Sequence, residues 1–468
     1  MKFSTAGLEA AGMDLVPPFR IELRLDPHAH DVIGLEDAPV TPLEFQTVAR
    51  VLPGRRVSGI AVLDGERVFA KVFYGKGARR YWQRELQGAR MVQDAAVAAP
   101  PVLGRGITAD DVGFVVLYGV VEEARGVDEN APGEVLDTVR CLAELHQSEL
   151  VQSDVHLDNF LVSPTGVHAV DADSVKRSVL LRQHFANLAT LCAQRAPRWD
   201  ADLPAVWDAY AAVRGEYVAR MGSAQELTSL TRKARRERVR RYLKKTQREC
   251  TEFVHRRRFD LDFVCDRGHW RRLQHFMVFP ERYMAEGTPL KLGNSATVVR
   301  CDIEGHSYIV KRYNLKSLWH RVRRWFRRRA RNAWRNGHWL AFLKIRTARP
   351  LALLETRWGV FPGVAYLVMP DCGQLDLAHA LVNDPACFER VREPAVALLA
   401  ELNAAGLCHG DLKATNFMVD DEGVVLIDFD ALRYGSSAPD VHRFLANWEE
   451  TPELRQAWQN ALKGVGLA

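Results

Sequence analysis

Two short segments of the chain carry Asp, Asn and Asp at the same spacing. The first set is Asp154, Asn159 and Asp171, and the second set is Asp411, Asn416 and Asp428. In each set the Asn follows the first Asp by five residues and the last Asp follows the Asn by twelve. Asn and Asp oxygens are hard ligands that suit Mg²⁺, and an Asp can also orient a reacting hydroxyl group. The spacing predicts two sites for metal-assisted chemistry, 257 residues apart.

A lysine on a predicted strand precedes each set. Asp64-Gly65 and Glu304-Gly305 are hairpin-turn signals between apolar runs, and Lys71 and Lys311 each follow the turn glycine by six residues. A lysine at such a position can neutralise the phosphate oxygens of a nucleotide. Lysine, catalytic Asp, Asn and final Asp together form the working set of a kinase, in which Asn and the final Asp hold Mg²⁺ against the phosphates of ATP.

The repeat also predicts the domain organisation. A chain of 468 residues is too long for one ordinary domain, and 47% hydrophobic with 26% charged residues is typical of a folded globular protein. We expect an N-terminal extension over residues 1–40, a first domain over 41–230, a basic linker helix over 231–258, and a second domain over 259–468 with an Arg- and Trp-rich insertion near 313–330.

The second set lies in a longer stretch that resembles a known family. This stretch includes His409-Gly410-Asp411-Leu-Lys-Ala-Thr-Asn416 and Ile427-Asp428-Phe-Asp430, preceded by Val310-Lys311-Arg-Tyr-Asn. It resembles the kinase-like superfamily, and most of all the bacterial lipopolysaccharide core kinases, which phosphorylate Kdo or heptose. The resemblance covers most of residues 285–440 and, more weakly, 45–190. It implies an α+β fold of two tandem protein-kinase-like bilobal domains, each with a small β-rich lobe and a helical lobe, and transfer of the ATP γ-phosphoryl group to a sugar hydroxyl.

The first copy departs from the family pattern in its catalytic loop. Lys71 has a candidate acidic partner in Glu85, which lies on a predicted helix over residues 79–92. However, Gln152 stands two residues before Asp154, where the family has a His that braces the loop. The missing His puts the activity of this copy in doubt without removing its reactive groups.

The second copy departs from the pattern at the lysine. Its loop keeps His409 before Asp411, but no Asp or Glu occurs between Lys311 and Pro350, where the partner of the lysine belongs. Because the loop is the better preserved part, we expect phosphoryl transfer in this copy, with Asp411 as the catalytic residue and Asp154 as the alternative. Gly54 and Gly293 lie where a phosphate-covering loop belongs, although neither loop has a full glycine-rich motif and both glycines also fit ordinary turns.

The positive charge of the chain is concentrated in two segments. Residues 231–258 have a balance of +10 and residues 311–349 a balance of +14, against +6 for the whole chain. In the second segment Leu315, Leu318, Val322, Trp325 and Phe326 form an apolar stripe among arginines. Such a segment fits an anionic membrane surface, while a helix packed on its own domain is the alternative. No nucleic-acid motif accompanies the basic residues, so we do not expect nucleic-acid binding.

The acceptor is predicted from what the sequence lacks. No Ala-Pro-Glu follows Asp171 or Asp428, so the peptide-docking platform of protein kinases is not expected. Residues 1–14 have no apolar core of a signal peptide, which favours a cytoplasmic protein peripheral to the inner membrane. We expect phosphorylation of lipopolysaccharide core glycolipid. The alternatives are a tandem pseudokinase that acts as a scaffold in core assembly and a soluble small-molecule phosphotransferase.

Overall fold

The chain divides into two compact units. The structure is a computed structural model that describes residues 3–11, 15–26, 38–293, 295–314, 329–359, 361–373 and 375–467. Residues 1–195 and 201–234 belong to the first unit, and residues 196–200 and 235–468 to the second. In the part of the chain that is described, each unit contains a seven-stranded antiparallel sheet and a set of helices.

The large sheet of the first unit has the order β2-β1-β6-β7-β5-β4-β3, with a further pairing between β2 and β4. Its strands are β1 (Phe19–Asp26), β2 (Val40–Phe45), β3 (Arg50–Leu52), β4 (Arg56–Leu63), β5 (Glu66–Phe73), β6 (Val102–Thr108) and β7 (Phe114–Gly119). The shorter strands are β8 (Arg125–Gly126), β9 (Leu150–Gln152), β10 (Phe160–Ser163), β11 (Gly166–Ala169) and β12 (Val175–Arg177). They form a three-stranded sheet of order β11-β10-β8 and a two-stranded sheet of β12 and β9.

Some helices of the first unit pack on the large sheet and others beside the short strands. They are α1 (Thr5–Ala11), α2 (Ala78–Asp94), α3 (Pro132–Gln147), α4 (Leu181–Cys192), α5 (Leu203–Arg214) and α6 (Ala224–Lys245). One apolar core lies within the large sheet, and a second joins α3, α4 and α5. Strand β5, which carries Lys71, contributes to the first core, and Val155, next to Asp154, contributes to the second.

The large sheet of the second unit has the order β13-β14-β18-β19-β17-β16-β15. Its last five strands repeat the order β6-β7-β5-β4-β3 of the first unit, whereas the first two strands are exchanged. Its strands are β13 (Phe253–Arg257), β14 (Leu261–Asp266), β15 (Thr288–Leu292), β16 (Ala296–Ile303), β17 (His306–Tyr313), β18 (Ala352–Trp358) and β19 (Phe361–Pro370). The shorter strands are β20 (Leu375–Asp376), β21 (Leu407–Cys408), β22 (Phe417–Asp420), β23 (Gly423–Leu426) and β24 (Arg433–Tyr434). The helices are α7 (Trp270–Val278), α8 (Pro280–Glu286), α9 (Arg329–Phe342), α10 (Leu377–Asn383), α11 (Cys387–Ala404), α12 (Ala438–Ala446) and α13 (Pro452–Gly464).

The two predicted hairpins are confirmed. Strands β4 and β5 flank the Asp64-Gly65 turn, and β16 and β17 flank the Glu304-Gly305 turn. Both turn glycines have positive φ, at 87° and 74°, a backbone conformation that glycine adopts without steric cost. The turns fix the register, so that Lys71 lies opposite Ser58 and Lys311 lies opposite Val298.

Two predicted boundaries are wrong. Residues 1–40 are not only an extension, because residues 19–26 form β1, in which alternate apolar side chains are buried in the sheet of the first unit. Residues 231–258 are not one helix, because α6 ends at Lys245 and residues 253–257 form β13 of the second unit. Phe253 and Val254, which lie within the predicted linker helix, are instead buried in this strand.

The predicted insertion near residues 313–330 falls largely outside the described residues, which omit 315–328. The proposed apolar stripe and most of its arginines lie there. Among the helices that the structure describes, none has the length and apolar character needed to span a membrane.

Helix α2 approaches the loop that carries Asp171 so closely that the contact requires glycine. A Cβ atom at Gly88 would lie 1.8 Å from the carbonyl oxygen of Ala172. We expect Gly88→Ala to destabilise the protein by about 1–3 kcal/mol, as overpacking does, although Ala is the better helix former. Gly133→Ala in α3 is the matched control, since nothing lies within 4 Å of a Cβ there. Thermal unfolding of the full chain measures both, and equal melting temperatures for the two variants would contradict the close contact.

Candidate functional site

In the first unit, Lys71 is held between two carboxylates. It lies in the middle of β5, between Ser58 of β4 and Val116 of β7. Its buried Nζ donates hydrogen bonds to Glu85 Oε1 at 2.6 Å and to Asp171 Oδ1 at 3.0 Å. The structure therefore brings together the lysine, the helix glutamate and the final aspartate that the sequence singled out.

Glu85 is fully buried and receives a second hydrogen bond. It lies on α2, the predicted helix, and the Tyr118 hydroxyl donates to its Oε1 at 2.6 Å. Burial raises the pKa of Tyr118 well above its usual value, and the adjacent Glu85 charge raises it further, so the hydroxyl keeps its proton. The hydroxyl and the lysine ammonium together balance a carboxylate that would be costly to bury alone.

Asp171 is held ionised by two cations. Its backbone is left-handed, with φ 63°, and this turn directs the carboxylate towards Lys71. Arg56 Nη1 donates to the same oxygen at 3.3 Å. Burial alone would raise the pKa of Asp171, but the charges of Lys71 and Arg56 outweigh that effect and hold the pKa well below its usual range. The carboxylate is therefore ready to bind a cation at neutral pH.

Asp173 adds a third carboxylate to this region. One oxygen each from Glu85, Asp171 and Asp173 lies within 4.8 Å of the others. Burial, reinforced by the charge of Asp171, raises the pKa of Asp173, while Arg55 pairs with it at 3.1 Å. The predicted metal ligands in this unit were Asn159 and Asp171, so the structure adds Asp173 to the candidates.

The Asp154 loop is braced without the missing histidine. Gln152 Nε2 donates to the carbonyl oxygen of Val170 at 3.2 Å. In the second unit His409 Nε2 lies 3.3 Å from the carbonyl oxygen of Ile427. His409 follows Gln152 by 257 residues and Ile427 follows Val170 by 257, so the two contacts occupy equivalent positions in the repeat. The Gln side chain therefore replaces the His side chain in this contact. The sequence put the activity of the first copy in doubt because the bracing His is replaced by Gln152, and the structure shows that Gln152 makes the corresponding contact.

The two Asn residues are oriented alike. Asn159 Nδ2 donates to the backbone oxygen of Asp154 at 2.9 Å, and Asn416 Nδ2 donates to that of Asp411 at 2.7 Å. Because the amide nitrogen is engaged, the side-chain oxygen remains as the ligand atom. An amide oxygen beside an ionised Asp is a donor set that fits Mg²⁺.

A cavity of about 390 Å³ opens beside these residues in the first unit. Its lining includes the charged or polar residues Arg56, Lys71, Glu85, Gln152, Asn159 and Asp171. It also includes the apolar residues Ile60, Phe69, Val92, Ala99 and Val121. An apolar chamber with a charged end has the chemistry to hold a flat aromatic base and its attached phosphates.

In the second unit Lys311 is held by two aspartates instead of a glutamate. Its Nζ donates to Asp428 Oδ1 at 2.6 Å and to Asp430 Oδ2 at 3.4 Å. The Tyr313 hydroxyl and Arg329 both donate to Asp430, each at 3.0 Å. Burial would raise the pKa of Asp428, but the charge of Lys311 outweighs it and lowers the pKa. Asp430 thus takes over the contact that Glu85 makes in the first unit.

The catalytic loops also differ in what touches the first Asp. Asp411 lies 3.2 Å from Lys413 Nζ and 3.5 Å from Arg443 Nη1, and its side chain is 44% exposed. Asp440 accepts the backbone N–H groups of His409 and Gly410, which fixes this loop. The side chain of Asp154 is 87% exposed. The carboxylate of Asp154 is therefore more accessible to an acceptor substrate than that of Asp411.

The predicted phosphate-loop glycines lie in corresponding turns. Gly54 has φ 65° and lies in the turn between β3 and β4, and Gly293 lies between β15 and β16. Their phosphate contacts remain a prediction. Sequence reasoning did not select Arg56, Asp173 and Asp430 as site residues. The shared Asp-x-Asp spacing was a signal for the two aspartates, whereas one Arg among many carried no signal.

Part of the chain matches a known family. Residues 370–467 match the phosphotransferase enzyme family, and this stretch contains Asp411, Asn416 and Asp428. No curated protein matches the sequence. The family match and the repeated set of site residues support a kinase-like phosphotransferase.

Solved structures resemble the chain weakly. WaaP in complex with acyl carrier protein is 17% identical, with 41% of this chain and 88% of that chain covered and a TM-score of 0.29. Vaccinia related kinase 3 is 13% identical, with coverages of 49% and 79% and a TM-score of 0.27. A rhoptry kinase from Toxoplasma gondii is 13% identical, with coverages of 38% and 56% and a TM-score of 0.27. TM-scores this low establish no function for the chain.

Proposed function

We propose that the protein is an ATP- and Mg²⁺-dependent kinase with two tandem kinase-like domains, and that its nucleotide site lies in the first unit. The observation that carries the proposal is the buried cluster of Lys71, Glu85 and Asp171 at the charged end of a cavity. A buried lysine with a helix glutamate and a metal-binding aspartate is the arrangement that phosphoryl transfer requires. The cluster is complete in this unit.

The residues of the first unit have distinct roles in this proposal. The apolar part of the cavity binds the base, and Lys71 binds phosphate oxygens while Glu85 keeps its ammonium group in place. Asn159 and Asp171 would hold Mg²⁺, which would supply positive charge to neutralise the phosphates. Asp154 accepts a hydrogen bond from the acceptor hydroxyl and orients its oxygen towards phosphorus. Its proton passes to the carboxylate late in the transfer.

We infer that the acceptor is a sugar hydroxyl of the lipopolysaccharide core, reached from the cytoplasmic face of the inner membrane. The support is the resemblance around Asp411 and the absence from the sequence of the Ala-Pro-Glu element. The basic segments 231–258 and 311–349, with charge balances of +10 and +14, would favour association with anionic lipid. WaaP, a weakly similar structure, is described in complex with acyl carrier protein, and this carries no argument for the acceptor of this chain.

A pseudokinase role is the second candidate, and one observation favours it for the second unit. Asp428, the proposed metal ligand there, is paired with Lys311 at 2.6 Å, and the segment from Lys311 to Pro350 contains no glutamate to take the lysine over. A metal ion would have to compete with that lysine. The second unit would then bind the glycolipid or a partner while the first performs transfer.

The first prediction concerns nucleotide binding. ATP with Mg²⁺ should raise the melting temperature of the protein, because ligand that binds only the folded state stabilises it. Asp171→Asn should remove most of this shift, since the carboxylate that holds Mg²⁺ is lost. Asp64→Asn is the matched control, because Asp64 also has positive φ but lies in the β4–β5 turn. No shift in the wild type at millimolar nucleotide would favour the scaffold alternative.

The second prediction separates the units by their catalytic aspartates. Asp154→Asn should lower transfer about 10²-fold or more, as loss of a general base does, and should leave ATP binding intact. Asp411→Asn should have a smaller effect. The measurement is phosphate incorporation into core lipopolysaccharide from a strain that lacks this gene. The reverse order of effects would place transfer in the second unit, as the loop sequence alone predicts.

The third prediction concerns the membrane. The protein should sediment with anionic vesicles and be released by salt, at about 1 kcal/mol per engaged basic residue. Changing Arg323, Arg324, Arg327 and Arg328 to Glu should abolish binding. A control of equal charge change replaces the exposed residues Arg20, Arg67, Arg79 and Arg140 by Glu. Equal loss in both variants would mean that only net charge matters and no membrane-binding segment exists.

A further inference from the structure

Arg56 is a buried cation that is not among the Lys, Asp, Asn and Asp residues that the two units share. It is the first residue of β4, directly after the β3–β4 turn, and only 4% of its surface is exposed. Its Nη1 lies 3.3 Å from Asp171 Oδ1 and 3.8 Å from Glu85 Oε2. It lines the same cavity as Lys71. The first unit therefore places a second cation, Arg56, near the carboxylates that hold Lys71.

The contacts of Arg56 leave part of its guanidinium unused. Its Nε is buried and has no hydrogen-bond partner among the residues that the structure describes. Glu85 Oε2 is likewise buried without a hydrogen bond in this part of the chain. Leaving a buried donor of a charged group unpaired is costly, and an anionic ligand oxygen would remove that cost.

The position is specific to the first unit. Ser58 and Val298 lie opposite the two strand lysines, so the residues two places earlier correspond, namely Arg56 and Ala296. An alanine cannot supply a cation. The arginine is therefore not part of what the two units share.

We propose that Arg56 is a phosphate-binding residue of the first unit, where it donates to phosphate oxygens of the nucleotide beside Lys71. This proposal rests on the proposed nucleotide site. The charges of Arg56 and Lys71 now balance those of Glu85 and Asp171. The guanidinium fork of Arg56 would donate to the phosphates, which carry more negative charge than one Mg²⁺ would neutralise, and Asp171 would then be available to hold the metal.

The opposite role would be a plug, in which Arg56 fills the phosphate position and excludes nucleotide. The cavity argues against this, because about 390 Å³ remains open with Arg56 in its wall. The two roles predict opposite effects of removing the side chain. Binding measurements on the full chain decide between them.

The experiment compares MgATP and adenosine binding to the wild type, Arg56→Met and Arg56→Lys by calorimetry. Arg56→Met should weaken MgATP binding by about 10- to 100-fold, as expected for lost charged hydrogen bonds, and leave adenosine binding unchanged within about twofold. Arg56→Lys should fall between the two, since it keeps the charge without the fork. Arg67→Met, an exposed arginine on β5 of the same sheet, is the matched control and should behave as the wild type.

Each other outcome has a defined meaning. Unchanged MgATP binding by Arg56→Met would overturn the proposal. Tighter MgATP binding would also overturn it and would indicate that Arg56 acts as a plug. Equal loss of MgATP and adenosine in both Arg56 variants would show a structural role and overturn it as well. A wild type that binds neither ligand would instead refute the proposed nucleotide site itself.

Discussion

The partly buried carboxylate of Asp171 is the constraint on which the first unit depends. A charge in this position must be balanced, and the balance comes from two cations, Lys71 on β5 and Arg56 on β4, while Glu85 on α2 holds the lysine in place. Each partner requires a particular backbone feature, namely the strand register, the turn before β4 and the close contact at Gly88. Loss of one partner leaves an unpaired buried charge, so these features stabilise the unit only together.

Much of this arrangement could be predicted from the sequence, because the same spacing of Lys, Asp, Asn and Asp occurs twice in the chain. Lys71 and Asp171 were identified by their repeated spacing and Glu85 by its place on a predicted helix, and Lys71 contacts both carboxylates. The hairpins were predicted because an acidic residue followed by Gly between two apolar runs is typical of a tight turn in which Gly has positive φ. The same reasoning failed over 231–258, where basic residues suit a helix face and a strand edge equally. Phe253 is buried in either case, so burial preference alone could not fix the end of α6.

The contacts that sequence could not predict are those between residues without a shared motif. Arg56 is one of 64 basic residues, and only its position opposite Asp171 distinguishes it. Gln152 looked like a loss because its residue type differs from that of His409. Its side chain nonetheless reaches the matching carbonyl oxygen, since an amide N–H and an imidazole N–H are equivalent donors there. The same hydrogen bond can therefore be kept although the residue type differs between the two units.

The same physics explains why the two units differ. Each strand lysine needs a carboxylate that stays with it when a metal ion takes the final aspartate. Glu85 meets that need from a helix in the first unit, at 2.6 Å. In the second unit Asp430 is the remaining carboxylate, at 3.4 Å, and it is shared with Arg329 and Tyr313. A metal ion at Asp428 would leave Lys311 with the weaker partner, which disfavours binding there. This difference supports the proposal that nucleotide binds in the first unit, even though the second unit has the more complete catalytic loop.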